Sequence, residues 1–302
     1  MGLVTTVEKK SPCKVNLLLN ILGKRPDGFH ALETIMHPVP LYDRLAIERK
    51  GSGIELTCND STLPTDSRNL VYRAAQSFLS AAKLTEGLRI HLEKKVPLAA
   101  GLGGGSANAA TTLLGLNEMF NGALPADALR HIAAGLGSDV PFFLQSQPAL
   151  ATGRGEEIEP LPFSPAMKGA VFLLVHPGFG ISTAWAYGQL ARFPTALNGK
   201  PGRARALVAA LENADLGGAG EQFYNSLEAP ALEKYPLLVM FQEFFRANGA
   251  CGAMMSGSGS ATFAVTPGLA SAETLAEKFK SKFGETYWQA VVPVEAGDYL
   301  HS

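Results

Sequence analysis

The feature that most constrains this chain is a glycine run inside residues 97–110, where four of the five residues 101–105 are glycine. Glycine permits positive φ angles and close approach of another group, but it destabilises helix and strand interiors. Alternating apolar and polar residues predict a strand over 88–93, and residues 107–120 are typical of a helix. A glycine loop between a strand and a helix directs free N–H groups and the helix dipole at an anion such as phosphate.

Neither of two common phosphate-binding patterns, the P-loop and G-x-G-x-x-G, explains this loop. The Gly-Lys pairs at residues 23–24 and 199–200 lack the Ser or Thr that follows in a P-loop. Counted from Gly101, the pattern G-x-G-x-x-G fails because Ser106 stands where the last glycine belongs. The run is therefore either a phosphate loop of another kind or a tight structural turn.

The composition is that of a globular protein without strong surface charge. Of the 302 residues, 46% are hydrophobic and 18% are charged, and the net charge is −1. This length favours two domains with sizeable cores, and the charge favours neither nucleic acid nor a membrane surface. Apolar runs such as residues 171–175 are too short to span a bilayer, and the N-terminal residues lack a signal-peptide core. We expect a small-molecule partner, with no nucleic acid, membrane or obligate protein partner.

Cysteine and histidine usage predicts a cytoplasmic protein without a side-chain metal site. Cys13, Cys58 and Cys251 are odd in number and far apart, which argues against disulfides and zinc knuckles and for a reducing compartment. The six histidines show no metal-ligand spacing. We therefore expect these histidines to be structural or solvated and not to bind a metal ion.

Two polar residues lie on one face of the strand that we predict over residues 14–22. The side chains of Lys14 and Asn16 are two positions apart and point the same way from an otherwise apolar segment. Burying both without partners would be costly. They belong either to an edge strand with a solvated lysine or to a functional face.

Two further sites have a structural and a functional interpretation. Phe29 and His30 follow a turn at residues 26–28, and they form either a stacking platform for a base or a hydrophobic plug. Asp139 lies among small and apolar residues just before Pro141. It either caps a short helix or acts in a pocket as a base or metal ligand.

The second half of the chain has the element order β-α-β-β-α-β, which is typical of a ferredoxin-like domain, with helices inserted after the first strand. The predicted strands cover residues 170–175, 253–255, 261–265 and 288–292, and the predicted helices cover 183–192, 203–211, 221–229, 231–248 and 271–283. A turn rich in glycine and charge at 152–157 predicts the domain boundary. Residues 256–260 form either a small hairpin turn or a second loop that faces the glycine loop.

Three separated stretches of this sequence resemble the motifs of the GHMP kinases, namely residues 11–16, 97–110 and 256–260. A more specific similarity points to the kinases of 4-diphosphocytidyl-2-C-methyl-D-erythritol. It rests on S-P-C-K-V-N-L at 11–17, R-P-D-G-F-H at 25–30, L-E-T at 32–34 and G-S-D-V-P at 137–141. The resemblance covers most of the chain, from about residue 11 to residue 265.

The resemblance implies an α+β fold of two domains. Residues 1–157 would form a ribosomal-S5-like α/β domain with the glycine-rich ATP loop, and residues 158–302 a ferredoxin-like domain with a helical insertion. The implied activity is ATP-dependent phosphorylation of the 2-hydroxyl of 4-diphosphocytidyl-2-C-methyl-D-erythritol, in the non-mevalonate route to isoprenoids. The alternatives are a GHMP kinase of another small alcohol, such as homoserine or a mevalonate derivative, and a non-catalytic nucleotide-binding protein.

The resemblance also implies the catalytic and ATP-binding residues. Asp139 would be the general base, and Lys14 would stand beside it. ATP would be bound by the glycine loop, which consists of Pro97, Leu98, Ala99, Ala100, Gly101, Leu102, Gly103, Gly104, Gly105, Ser106 and Ala107. Many GHMP kinases have serine where this chain has Gly104 and Gly105. A serine at these positions can hold Mg²⁺, and that side chain is missing here. We therefore commit to no protein ligand for the metal ion and expect Mg²⁺ to arrive with ATP.

Four residues are implied in binding the substrate. Asn16 and Thr183 would position the erythritol, whereas Phe29 and His30 would hold the cytosine by stacking and hydrogen bonds. Phe29 stands where tyrosine is usual in these kinases, so the stacking face is kept and a hydroxyl is lost.

Overall fold

The computed structural model describes residues 5–294, which form two β-sheets with helices packed against them. The strands are β1 (Thr6–Lys24), β2 (His30–Arg49), β3 (Ile54–Cys58), β4 (Leu88–Glu93), β5 (Ala149–Thr152), β6 (Glu157–Pro160), β7 (Val171–His176), β8 (Tyr224–Asn225), β9 (Gly252–Met255), β10 (Thr262–Thr266) and β11 (Trp288–Pro293). The helices are α1 (Leu70–Ala82), α2 (Gly104–Met119), α3 (Ala126–Leu136), α4 (Thr183–Gln189), α5 (Pro194–Leu197), α6 (Arg203–Glu212), α7 (Leu216–Glu221), α8 (Glu228–Lys234), α9 (Pro236–Ala247) and α10 (Leu269–Phe283).

The first sheet is built on the long antiparallel pair β1 and β2. Its strand order is β3-β4-β2-β1-β8, and β5 pairs with both β2 and β6. The outer pairs β3–β4 and β1–β8 are parallel. Phe78 of α1, Leu113 of α2 and Leu129 of α3 share a buried cluster with Ile47 and Ile90 of the sheet. Burial of this apolar surface holds the three helices against the strands.

The second sheet has the order β11-β7-β10-β9, and every neighbouring pair is antiparallel. Helix α9 precedes β9 and helix α10 precedes β11, so the predicted ferredoxin-like pattern is confirmed. Helices α4 to α8 form the insertion after β7. Phe241 of α9 and Phe279 of α10 are fully buried, with ring centroids 4.8 Å apart. Among the described residues, no helix combines the length and apolar character needed to cross a membrane.

Two predicted helices of the second half are wrong in extent. Residues 221–229 are not one helix, because residues 224–225 pair with β1 as β8 and α8 begins only at Glu228. Residues 231–248 are divided at Tyr235, whose φ of −125° and ψ of 74° are not helical. Pro236 causes this break, because proline lacks an N–H and disfavours the helical region for the residue before it.

Several element boundaries in the first half also differ from prediction. Strand β1 begins at Thr6 rather than at residue 14, since polar residues 8–11 obscure its pattern. The short strands β3, β5 and β6 were not predicted, and β6 has only Ile158 as an apolar residue before its final proline. Pairing with β5 gives β6 its strand conformation. Helix α2 begins at Gly104, inside the glycine run, rather than at residue 107.

Glu228, the first residue of α8, contacts the end of β9. Its Oε1 accepts hydrogen bonds from the Met255 N–H at 2.8 Å and from Gln242 Nε2 at 2.6 Å. Burial raises the pKa of Glu228 to about 7, although these donors and the charge of Arg246 act in the opposite direction. The folded protein therefore binds the Glu228 proton more tightly than an unfolded chain does.

We expect Glu228 to make the fold less stable as the pH rises. The pKa of its carboxyl is 4.5 in the unfolded reference and about 7 in the folded protein. The unfolded state releases this proton first, so the free energy of unfolding should fall across that interval, and Glu228→Gln should remove the decrease. Urea unfolding of both proteins across this pH range measures the effect. Parallel pH profiles for wild type and variant would contradict it.

Candidate active site

A cleft of about 1290 Å³ collects almost all of the residues that the sequence singled out. Its lining includes Lys14, Asn16, Phe29, His30, Asp139 and Thr183, together with residues 97–106. Ala107 is the exception, because it lies in α2 and its side chain is fully buried in the core. The fold thus brings side chains that are far apart in the sequence into one cavity.

Lys14 is a buried cation of this cleft, with an exposed fraction of 2%. Its ammonium donates one hydrogen bond to Asn16 Oδ1 at 2.5 Å and another to the Gly101 carbonyl at 2.9 Å. The Lys14 N–H donates to the Leu102 carbonyl at 2.9 Å, so the glycine loop covers β1 at this point. The interpretation of Lys14 as a solvated lysine on an edge strand is therefore wrong.

Asp139 presents a half-exposed carboxylate to the cleft, with Oδ2 at 3.7 Å from the Lys14 ammonium. Burial lowers the pKa of Lys14, and the Asp139 charge partly offsets that shift. Asp139 does not cap the short 3₁₀ helix Pro141–Leu144, whose N-cap residue is Val140 and which has no side-chain cap hydrogen bond. The capping interpretation is therefore wrong.

The second small-residue loop packs directly on the glycine loop. The Ser256 hydroxyl donates to the Gly101 carbonyl at 2.9 Å and accepts from the Asn16 N–H at 3.3 Å. Gly101 has a φ of +77°, and a Cβ added there would lie 2.0 Å from the Ser256 carbonyl oxygen. Only glycine fits this contact, because any side chain would collide with backbone. Residues 256–260 are thus both the hairpin turn between β9 and β10 and a loop that contacts the glycine loop.

The glycine run continues into the first turn of α2. Gly103 is the N-cap residue with a φ of +71°, and no side chain caps the helix. The first helical hydrogen bond runs from the Ala107 N–H to the Gly103 carbonyl. The N–H groups of residues 104–106 therefore have no acceptor within the helix, and all three residues line the cleft. This is the geometry of an anion site at a helix N-terminus.

A fully buried carboxylate that the sequence reasoning missed supports this loop. Asp43 accepts hydrogen bonds from the Lys95 N–H at 2.7 Å and from the Val96 N–H at 2.9 Å. It also accepts from the Lys94 ammonium and from Asn108 Nδ2 of α2. The network thus fixes both the residues that lead into the loop and the helix that leaves it. A charged residue inside strand β2 was the only sequence signal.

An aromatic group lies at another part of the cleft. Phe29 is 51% exposed, so the interpretation of this residue as a hydrophobic plug is wrong. The rings of His30 and Tyr187 lie 5.1 Å apart at an interplanar angle of 40°. Partial burial lowers the pKa of His30, and the charge of Lys24 adds to the effect, so its imidazole is neutral near pH 7. Sequence reasoning missed Tyr187, which had no signal beyond its place in a predicted helix.

Two polar residues of the predicted substrate set are held by neighbours. Asn16 Nδ2 donates to the Thr34 hydroxyl at 2.9 Å, while its Oδ1 accepts from Lys14. Thr183 begins α4, and its hydroxyl shares a 2.8 Å hydrogen bond with the Ser258 hydroxyl. Both side chains therefore have fixed orientations at the cleft wall.

Family models match both halves of the chain. The model described as GHMP kinases N terminal domain matches residues 69–147, and the model described as GHMP kinases C terminal matches residues 207–285. The chain belongs to the GHMP kinase family. The predicted boundary between residues 157 and 158 lies between the two matches and stays a prediction.

Relatives of this GHMP kinase carry a specific name. A protein of Pelotomaculum thermopropionicum named 4-diphosphocytidyl-2-C-methyl-D-erythritol kinase is 41% identical, with 88% of this chain and 91% of the relative covered. A protein of Clostridium novyi with the same name is 37% identical, with 91% and 96% covered. The crystal structure of a 4-(cytidine 5'-diphospho)-2C-methyl-D-erythritol kinase has a TM-score of 0.76 at 34% identity, with 96% and 100% covered.

The fold alone does not separate kinases of different substrates. A homoserine kinase of Cytophaga hutchinsonii also has a TM-score of 0.76, at 20% identity, with 97% of this chain and 96% of the other covered. Among residues 5–294, no three His, Cys, Asp or Glu side chains are grouped as a metal-ion site. The N–H groups at the start of α2 form one part of this cleft that is suited to an anion.

We expect Asp43→Asn to destabilise this kinase strongly. The variant leaves the Lys94 ammonium, whose side chain is 6% exposed, without a counter-charge. Breaking a buried ion pair in this way costs about 3–5 kcal/mol. Chemical denaturation measures the loss, and Asp66→Asn is the control, since Asp66 pairs with an exposed Arg68. Equal small effects from both variants would contradict the expected role of burial.

Proposed function

We propose that this chain transfers a phosphoryl group from ATP to the 2-hydroxyl of 4-diphosphocytidyl-2-C-methyl-D-erythritol. The observation that carries the proposal is a single cleft that joins the Phe29–His30 aromatic group to the Lys14–Asp139 pair and the glycine loop. Relatives with that kinase name, matched over nearly their whole length, support it. The reaction belongs to the non-mevalonate route to isoprenoids, and the free cysteines agree with the predicted cytoplasmic location.

ATP is proposed to bind with its phosphates on the glycine loop. The N–H groups of residues 104–106 and the α2 dipole favour negative charge there. The cleft continues past the loop to the apolar side chains of Leu63, Pro64 and Leu70, which offer a surface for the adenine. Mg²⁺, carried by the ATP phosphates, would neutralise their charge.

Asp139 is proposed as the general base and Lys14 as its cationic neighbour. The substrate hydroxyl gives its proton to the Asp139 carboxylate while the hydroxyl oxygen bonds to the γ-phosphorus of ATP. The bond between the γ-phosphorus and the β–γ bridging oxygen breaks, and ADP leaves. Lys14 is surrounded by oxygen acceptors on Asn16, Gly101 and Asp139, which favour its ammonium form. That charge lies 3.7 Å from the Asp139 carboxylate and would stabilise negative charge on the transferred group.

The aromatic end of the cleft is proposed to hold the cytosine. The exposed ring of Phe29 offers a stacking face, and neutral His30 has one donor and one acceptor nitrogen for the edge of the base. Tyr187 packs beside His30 and limits its orientation. Asn16 and Thr183, whose side chains are fixed by Thr34 and Ser258, would position the erythritol.

The experiment that tests this function is a coupled assay of ADP release with Mg-ATP. The purified protein is given 4-diphosphocytidyl-2-C-methyl-D-erythritol, homoserine or mevalonate in separate reactions. We expect turnover with the cytidyl substrate alone, since only that substrate has a base for Phe29 and His30. Preferred turnover of homoserine or mevalonate would reject the proposed substrate, and no turnover of any would favour a non-catalytic role.

We expect Asp139→Asn to lower kcat by about 10²–10⁴-fold, the usual contribution of a general base. Binding of ATP should change little, because the glycine loop is intact. Asp127→Asn is a suitable control, since Asp127 is an exposed acid on α3 with a side chain 90% exposed. Steady-state kinetics with the cytidyl substrate measures both variants. Unchanged kcat in Asp139→Asn would remove Asp139 as the base.

A further inference from the structure

Arg154 occupies a position in the cleft that the catalytic scheme leaves unused. It lies in the turn between β5 and β6, and its guanidinium carbon is 4.6 Å from the centroid of the Phe29 ring. Arg154 and Gly155 both line the cleft. The guanidinium thus lies against a ring that remains half exposed. A cation over one aromatic face is attracted by the ring electrons and leaves the opposite face for another planar group.

The turn that carries Arg154 is held rigidly. The Arg154 N–H donates to Glu156 Oε2 at 2.6 Å, and Arg154 Nε donates to Glu156 Oε1 at 2.9 Å. The Leu32 N–H of β2 donates to the Gly153 carbonyl at 3.0 Å, which ties the turn to the strand that begins at His30. The guanidinium is therefore oriented before any ligand arrives, so little side-chain entropy is lost on binding.

The same turn reaches toward the proposed catalytic base. A Cβ added to Gly155 would lie 3.9 Å from Leu32 Cδ1 and 3.9 Å from the Cβ of Ser138, the neighbour of Asp139. The turn that carries Arg154 therefore extends from the Phe29 ring to the neighbour of the proposed base. A ligand with its base at Phe29 and its reacting hydroxyl at Asp139 would therefore have its middle part near this turn.

We propose that Arg154 binds the diphosphate that joins the cytidine to the erythritol. This inference rests on the proposed function, since that substrate has a diphosphate between its base and its reacting alcohol. The Nε of Arg154 is taken by Glu156, and within residues 5–294 its two terminal nitrogens have no hydrogen-bond partner. Guanidinium nitrogens in a fixed fork match two phosphate oxygens.

The other cations of the cleft are less suited to this part of the ligand. Lys14 and Lys94 are buried and engaged with oxygen acceptors. The Arg68 side chain donates to Asp66 from a terminal nitrogen as well as from Nε, whereas the Arg154 side chain donates to Glu156 from Nε alone. Lys24 also lines the cleft and is close enough to His30 to lower its pKa. Lys24 is therefore the rival cation, and the experiment has to distinguish it from Arg154.

The test compares the binding of cytidine 5'-diphosphate and of cytidine by isothermal titration calorimetry. Wild type is compared with Arg154→Gln, Lys24→Gln and the control Arg192→Gln. Arg192 matches Arg154 in type, since it lies 5.4 Å from the Phe193 ring centroid and pairs with Glu233 at 3.0 Å, but it does not line the cleft. Thermal unfolding of each variant verifies that the fold is kept.

We expect Arg154→Gln to weaken binding of cytidine 5'-diphosphate by about 10- to 100-fold, as for loss of hydrogen bonds to a charged group. Cytidine binding should change less than about twofold, because the aromatic group remains. Arg192→Gln should bind both ligands as wild type does. The inference is overturned if Arg154→Gln loses both ligands equally, if it loses neither, or if Lys24→Gln alone reproduces the loss.

The same samples separate this inference from the proposed function. Wild-type turnover of 4-diphosphocytidyl-2-C-methyl-D-erythritol is measured in parallel by ADP release. Phosphate-dependent binding through Arg154 without turnover would reject the proposed reaction and support the binding site. Turnover with no phosphate-dependent loss in Arg154→Gln would support the reaction and reject the site. A wild-type protein that binds no cytidine 5'-diphosphate would overturn the inference.

Discussion

One backbone carbonyl, that of Gly101, connects the three segments that form the centre of this protein. It accepts hydrogen bonds from the Lys14 ammonium of β1 and from the Ser256 hydroxyl that follows β9. Burial of Lys14 is tolerable only because such acceptors surround it. The first sheet, the glycine loop and the second sheet therefore meet at one polar point. The position of the cleft between them follows from this junction.

Buried charge has two different uses near the glycine loop. Asp43 and Lys94 form a buried pair next to the loop. Asp43 accepts hydrogen bonds from two backbone N–H groups and from Asn108, and Lys94 donates to Asn108. Lys14 faces the cleft and is left 3.7 Å from a half-exposed carboxylate. The Asp43–Lys94 pair fixes the chain around the loop, whereas the Lys14–Asp139 pair remains open to a ligand.

Local sequence patterns predicted the ferredoxin-like order and the strand–glycine loop–helix unit, since both depend on short-range periodicity. They did not predict that α2 includes Gly104, because packing against the sheet overrides the low helix propensity of glycine. They left Lys14 and Asp139 ambiguous, since each is explained only by the other. Asp43, Tyr187 and Arg154 were missed because the contacts that place them at the site, with Lys94, His30 and Phe29, join distant parts of the chain. Single positions carry no signal for such contacts.

The two-residue strand β8 completes the first sheet from a point late in the chain, where Tyr224 pairs with Leu18 and Asn225 with Leu19. During synthesis, this edge of β1 stays unpaired until residue 225 has left the ribosome. At about 5–20 residues per second, that interval is on the order of ten seconds or more. An apolar strand edge open for so long can pair with another nascent chain. The order of translation therefore decides when this fold is most prone to aggregate.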